Sequence, residues 1–123
     1  YEFIKKIKFD RLGVFEFSKE KDTYAYGLKG QIPSRIKKLR KNKIMKLQKE
    51  ISKTLNEKML GTTLPCIVEA LTDDGITVLR SYKDAPEIDC LVYAKSENLS
   101  APGEIVDVKI TDCDEYDLFG EII

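Results

Sequence analysis

The stretch of sequence that decides the fold is residues 64–81, LPCIVEALTDDGITVLRS. Its first eight residues have the apolar and β-branched composition of a strand, and its last six resume an extended pattern. Between them stand Asp73, Asp74 and Gly75, which are residue types that dominate tight turns. The stretch therefore predicts two β-strands joined by a short turn.

The same kind of pattern continues to the end of the chain. Residues 91–93 predict a third strand, residues 101–103 (Ala-Pro-Gly) a turn, and residues 118–123 a final strand. In residues 106–110 valine and isoleucine alternate with Asp and Lys, as in a strand with one buried face. Five short strands within residues 61–123 predict a small five-stranded antiparallel β-barrel with an OB-like plan, because closure removes the exposed sheet edges.

A long basic helix is predicted over residues 33–60, ahead of the barrel. Pro33 suits a first helical turn, and Gly61 suits a stop. One apolar stripe recurs at helical spacing: Ile36, Leu39, Ile44, Leu47, Ile51 and Leu55. The other faces carry nine cations: Arg35, Lys37, Lys38, Arg40, Lys41, Lys43, Lys46, Lys49 and Lys53.

Residues 1–32 predict an α/β appendage, so the predicted fold class is mainly β with this appendage at its N-terminus. Residues 2–9 place apolar side chains at helical spacing, and residues 12–17 have the composition of a strand buried on both faces of a parallel sheet. Residues 18–32 are typical of a loop. Because such a strand needs neighbours that this chain lacks, we expect residues 1–32 to pack incompletely and the chain to be part of a longer polypeptide.

The charge of the chain is divided between its two halves, although 21 Lys/Arg and 21 Asp/Glu cancel overall. Residues 1–56 hold 16 Lys/Arg and 6 Asp/Glu, which gives +10, and residues 57–123 hold 5 and 15, which gives −10. Such a division creates fields that select partners of opposite sign. The ordinary alternative is a solvated surface with no partner.

Composition excludes several classes of function. There is no histidine, so a Ser-His or Cys-His nucleophilic site cannot form. Cys66, Cys90 and Cys113 are widely spaced and odd in number, which argues against a disulfide framework and a zinc site and favours reduced, cytoplasmic thiols. No apolar run is long enough to span a membrane, and there is no signal peptide.

Two acidic stretches stand out within the predicted barrel, residues 82–89 (YKDAPEID) and residues 112–121 (DCDEYDLFGE). Clustered carboxylates have three ordinary explanations: a solvated surface, a weak site for a hard cation, or a docking face for a basic partner. Spacing alone does not decide among them.

Both stretches closely resemble the C-terminal end of the radical-SAM methylthiotransferases, in the branch that modifies a ribosomal protein. Residues 84–89 (DAPEID) and 114–121 (DEYDLFGE) look like that family's small barrel, the TRAM domain. The family's catalytic barrel and its connector resemble the segments upstream: RLGVF at 11–15, YAYGLKGQIP at 24–33 and LQKEIS at 47–52. The resemblance implies three parts: residues 1–32 from the catalytic domain, 33–60 as connector helix and 61–123 as TRAM-like barrel.

The resemblance also implies what the parent enzyme does. Such an enzyme puts a methylthio group on an aspartate of a small-subunit ribosomal protein, using two [4Fe-4S] clusters and S-adenosylmethionine held by domains that this chain lacks. The radical-SAM CxxxCxxC motif does not occur here, so no catalytic, cofactor-binding or metal-binding residue is assigned. The chain departs from the family at Cys90, where glycine is usual, and at Phe119, where tryptophan is usual.

The barrel is accordingly predicted to bind and not to catalyse, docking the basic ribosomal protein in the cytoplasm. The candidate docking residues are six acids and two aromatic anchors: Asp84, Glu87, Asp89, Asp114, Glu115, Asp117, Tyr116 and Phe119. Phe119 is left open between core and contact. Two alternatives stay open: an RNA-binding TRAM module of a tRNA-modifying enzyme, with the basic helix touching RNA, and a metal hydrolase built on the acidic loops.

Overall fold

The computed structural model describes residues 1–95 and 100–123. Helix α1 and a single 3₁₀ turn precede the long helix α2, and five strands follow. In chain order the elements are α1 (Glu2–Ile7), the 3₁₀ turn (Tyr24–Gly27), α2 (Ser34–Glu57), β1 (Thr63–Leu71), β2 (Ile76–Ser81), β3 (Val92–Lys95), β4 (Ile105–Cys113) and β5 (Leu118–Ile122).

The five strands close into a barrel in the order β1-β2-β3-β5-β4, with β4 pairing back onto β1. The predicted five-stranded barrel is confirmed. Alternate residues along the strands point inward and exclude water, which is the burial that stabilises the sheet. The core consists of Leu64, Cys66, Val68, Leu79, Val92, Ala94, Val108, Ile110 and Leu118.

One seam of the barrel is parallel, and the prediction of a purely antiparallel barrel is wrong there. Strand β3 runs parallel to β5, with Val92 opposite Leu118 and Lys95 opposite Glu121, while the other four pairings are antiparallel. Strand direction cannot alternate around a ring with an odd number of strands. A closed five-stranded barrel must therefore contain at least one parallel pair.

Cys66 illustrates how dry the barrel core is. Its side chain is buried, and desolvation by burial raises the pKa of the thiol to about 11, with smaller contributions from the charges of Asp84 and Asp107. The raised pKa means that the thiol stays protonated at pH 8, with a thiolate fraction of about 10⁻³.

We expect iodoacetamide at pH 8 to alkylate Cys66 of the native chain at least about 100-fold more slowly than Cys113, which is only half-buried at the end of β4. Mass spectrometry of the time course measures both rates, and the same reaction in concentrated urea should label both thiols. Equal native rates would contradict the closed core.

Helix α2 lies against the barrel through one face. Pro33 directly precedes the helix in an extended conformation instead of forming its first turn, and the helix ends at Glu57, four residues before Gly61. Leu47, Ile51 and Asn56 are among its buried residues. The Asn56 side chain donates hydrogen bonds to two carbonyl groups of the loop before β5, those of Asp114 and Tyr116, at 3.2 Å each. This contact positions the loop relative to the helix.

The N-terminal segment differs from its prediction in one element. Helix α1 forms as predicted, but residues 12–17 form no strand, and Phe15 is 93% exposed. A strand needs neighbouring backbone groups, and all five described strands pair within the barrel. No residue of 1–32 is fully buried.

Within the described part of the chain, no helix combines the length and apolar character needed to cross a membrane.

Candidate functional site

A groove with a volume of about 650 Å³ lies where three parts of the chain meet. Residues 10–15 form one wall, helix α2 forms the floor, and the loops before β3 and β5 form the opposite wall. The two acidic stretches identified in the sequence contribute these two loops. The groove is lined by Phe15, Gln48, Ile88, Asp89, Tyr116 and Asp117, among others.

Asp84 holds the wall formed by residues 10–15 in place. It was predicted as a docking residue, and the structure corrects this prediction. Its carboxylate accepts hydrogen bonds from Arg11 Nε (Oδ1, 2.6 Å) and from Ser81 Oγ (Oδ2, 2.6 Å). The side chain is only 2% exposed, so its charge is neutralised internally and is not presented to a partner. Burial lowers the pKa of Arg11, but the hydrogen bond and charge of Asp84 outweigh this effect, and the net pKa is raised.

A second ion pair joins the same two segments. Lys83 Nζ lies 3.1 Å from Asp10 Oδ1, next to the Arg11 contact. On the barrel side, Arg80 donates to the backbone carbonyl of Asp84 at 3.1 Å and pairs with Glu69 at 2.6 Å. Residues 10 and 11 are therefore anchored to the loop after β2 by two adjacent ion pairs.

Asp89 and Asp117 shape the loops of the opposite wall. Asp89 Oδ2 accepts a hydrogen bond from the backbone N–H of Ala85, and Asp117 Oδ1 accepts one from that of Leu91, both at 2.8 Å. Both residues line the groove, and Asp117 is half-buried. No ion pair forms at either carboxylate within residues 1–95 and 100–123, so both contribute uncompensated negative charge.

Three other predicted residues surround Asp117. Asp114 Oδ1 accepts hydrogen bonds from the backbone N–H groups of Tyr116 and Asp117, at 2.7 Å each, and so fixes the turn before β5. Glu115 pairs with Lys49 of α2 at 3.5 Å, and the same ammonium group lies 6.0 Å from the centre of the Tyr116 ring. Tyr116 is 48% exposed and lines the groove.

The loop before β3 contains the exposed Glu87, whose backbone adopts the left-handed conformation with φ of 61°. Cys90 is not among the residues with positive φ, so its side chain introduces no backbone strain. The Cys90 thiol is half-buried, and burial raises its pKa.

Phe119 lies apart from the groove, which answers the question left open by the sequence. Its neighbours Leu118 and Gly120 point into the barrel, so Phe119 points outward, where it stacks on Tyr93 with ring centres 5.8 Å apart. The pair lines a smaller cavity of about 240 Å³ on the outer face. Phe119 is therefore not a core residue, and the structure does not bring it together with the predicted acids.

Most residues that line the groove were not predicted as site residues, among them Phe15, Gln48 and Ile88. Ile88 carried a signal, because it is an apolar residue between two acids in a loop. Gln48 carried another, since it falls one turn from Ile44 and Ser52 on the buried side of α2. Nothing in the sequence indicated that Phe15 would face this loop.

No group of three or more Cys, Asp or Glu side chains that could hold a metal ion occurs among the residues that the structure describes. Cys66 is sealed in the barrel core, and the other two thiols lie on different loops and strands. These thiols therefore do not fit an iron–sulfur cluster.

The sequence of residues 60–123 matches a known family. The family model of the TRAM domain covers these residues, which include all five strands and both acidic loops. This chain belongs to the TRAM domain family. The match extends over slightly more than half of the chain.

Curated relatives match the chain beyond its TRAM domain. Ribosomal protein uS12 methylthiotransferase RimO of Acetivibrio thermocellus is 47% identical over 100% of the chain and 27% of its own length. The proteins of the same name from Petrotoga mobilis and Clostridioides difficile are 48% and 40% identical, each over 99% of the chain and 28% of their own length. The chain thus spans about a quarter of these relatives, and its resemblance to their C-terminal region with its TRAM domain is confirmed.

Proposed function

We propose that the chain is the substrate-binding C-terminal region of a cytoplasmic methylthiotransferase that modifies an aspartate of the small-subunit ribosomal protein uS12. In this proposal residues 1–32 complete a catalytic domain, residues 33–60 connect it, and residues 61–123 dock the protein substrate. The names of the relatives support the activity and the substrate.

The observation that carries the docking role is the charge of the barrel. Residues 61–123 hold 14 Asp/Glu against 4 Lys/Arg, a net charge of −10. Two of those cations, Arg80 and Lys83, are already paired with acids. Proteins that bind RNA are basic, and a ribosomal protein belongs to that class. A surface of this sign attracts and orients a basic partner and repels phosphate groups.

The chemistry of methylthio transfer lies outside this chain in the proposal. The parent enzyme uses two [4Fe-4S] clusters and S-adenosylmethionine, for which the thiols of this chain offer no fit, and the missing catalytic and N-terminal domains are further partners. The chain's own residues bind and orient the substrate protein, and none of them moves a proton or an electron.

We expect uS12 to bind the 123-residue chain with an affinity that falls as salt rises. Neutralising four acids of the two loops, Glu87→Gln, Asp89→Asn, Glu115→Gln and Asp117→Asn, should weaken binding at least about tenfold at low salt. The amide variants keep the acceptors that cap the loops, so the fold is retained. Fluorescence anisotropy across a salt series measures both effects.

The matched control neutralises four acids elsewhere on the barrel: Asp73→Asn, Asp74→Asn, Asp107→Asn and Glu121→Gln. Both variants lose four negative charges, so a difference between their affinities for uS12 can arise only from the position of the acids on the barrel. Equal losses would contradict the assignment of the two loops.

A second candidate function, RNA binding, is favoured by helix α2. Seven of its cations are exposed: Arg35, Lys38, Arg40, Lys43, Lys46, Lys49 and Lys53. Basic side chains along one element supply the phosphate contacts of non-specific binding. A mobility-shift titration with transfer RNA at physiological salt tests this candidate. Tight binding that is lost when these cations are neutralised would favour it, whereas no shift of the RNA would mean that α2 is a solvated connector.

A further inference from the structure

The loop wall of the groove exposes apolar surface. Ile88 is 83% exposed, and Tyr116, which lines the same groove, has about half of its surface in water. Apolar side chains gathered at a concave surface of about 650 Å³ are typical of a binding site, since covering them removes apolar area from water.

The floor of the groove contains a polar atom without a partner. Gln48 is only 5% exposed, and its Nε2 donates to the backbone carbonyl of Phe9 at 2.7 Å. Its Oε1 is buried and accepts no hydrogen bond within the described residues. Buried acceptors in proteins are nearly always satisfied, and Gln48 Oε1 has almost no accessible surface, so it meets a donor from the groove only when its side chain turns outward.

The charges of the groove have a definite sign once internal pairs are removed. Asp10, Arg11 and Lys49 line the groove, but Lys83, Asp84 and Glu115 respectively neutralise them. The remaining charges are the carboxylates of Asp89 and Asp117. The groove thus presents two anions beside apolar surface, which favours a cation attached to an apolar neighbour and disfavours a phosphate.

We propose that this groove binds a short extended segment of the basic protein partner that carries Lys or Arg beside an apolar residue. The cation lies against Asp89 and Asp117, the apolar side chain covers Ile88 and Tyr116, and a backbone N–H donates to Gln48 Oε1 once that side chain turns toward the groove. An extended segment is specified because its N–H groups are free, whereas those of a helix are used internally. This inference rests on the proposed function, in which that partner is uS12.

The test compares two exposed isoleucines of the 123-residue chain. Ile88→Ser removes apolar surface from the groove, and Ile105→Ser removes it from β4, where Ile105 is 74% exposed and does not line the groove. Titration of uS12 should show affinity about tenfold weaker for the Ile88 variant and unchanged for the Ile105 variant. Asp89→Asn should weaken binding about threefold and reduce its salt dependence, while Asp107→Asn should do neither.

The outcomes separate this inference from the proposed function. If uS12 binds the parent chain, the Ile88 variant and the Ile105 variant equally well, the groove is not the binding site, while the docking proposal stands. If uS12 does not bind the parent chain at all, both are wrong. If the parent chain binds transfer RNA and the Ile88 variant does not, the occupant of the groove is RNA instead of a peptide. If the parent chain sediments as a dimer and the Ile88 variant as a monomer, the occupant is a second copy of the chain. Circular dichroism melts check that each variant is folded.

Discussion

Gly120→Ala is expected to lower the free energy of unfolding by about 3 kcal/mol, because the barrel has no room for a side chain at this position. Gly120 lies on β5 opposite Ile110 of β4 and Ala94 of β3. A Cβ atom there would overlap the Lys109 carbonyl oxygen and would stand 2.8 Å from Val108 Cγ1. Since the closest obstacle is backbone, the clash is relieved only by separating β4 from β5.

Urea unfolding followed by circular dichroism measures this effect. Gly27→Ala is the matched control, because Gly27 lies in the 3₁₀ turn without a positive φ, and a Cβ added there would meet nothing within 4 Å beyond its chain neighbours. Its free energy of unfolding should change by less than about 0.5 kcal/mol. A Gly120 variant as stable as the parent chain would contradict the pairing of β4 with β5.

The barrel was largely predictable because its signals are local. Alternating side chains and short turn sequences place each strand within two residues of its observed bounds, apart from the longer β4. The parallel pairing of β3 with β5 was not read from the sequence, because each strand's pattern reports which side chains are buried and not which neighbour it meets. Residues 12–17 show the converse, since a strand-like composition formed no strand without neighbours.

The site was less predictable because its decisive contacts are distant in sequence. Asp84 shares its stretch with exposed acids, yet it is taken out of solvent by Arg11, which is 73 residues away. The outward direction of Phe119 could have been predicted, because side chains alternate along β5 and its neighbours Leu118 and Gly120 point inward. Gln48 and Phe15 enter the groove only through the packing of α2 and the N-terminal segment, for which no local pattern exists.

Asp84→Ala is expected to lower the free energy of unfolding by about 3 kcal/mol, because it leaves the Arg11 guanidinium largely buried without its anion. Ser81 Oγ also loses its acceptor. Asp107→Ala is the matched control, as Asp107 is exposed on β4 and forms no ion pair within the described residues, and its effect should stay within about 0.5 kcal/mol. Urea unfolding of both variants measures the difference.

A double-mutant cycle with Arg11→Met attributes the loss to the pair itself. Arg11→Met alone strands the buried carboxylate of Asp84, whereas the double variant strands neither charge, so its loss should be smaller than the sum of the single losses by about 2 kcal/mol. Strict additivity would mean that Arg11 and Asp84 do not interact in solution. Because Arg11 belongs to one wall of the groove, the double variant, which leaves the net charge unchanged, should also weaken uS12 binding with the same salt dependence, whereas the docking role first predicted for Asp84 requires a weaker salt dependence.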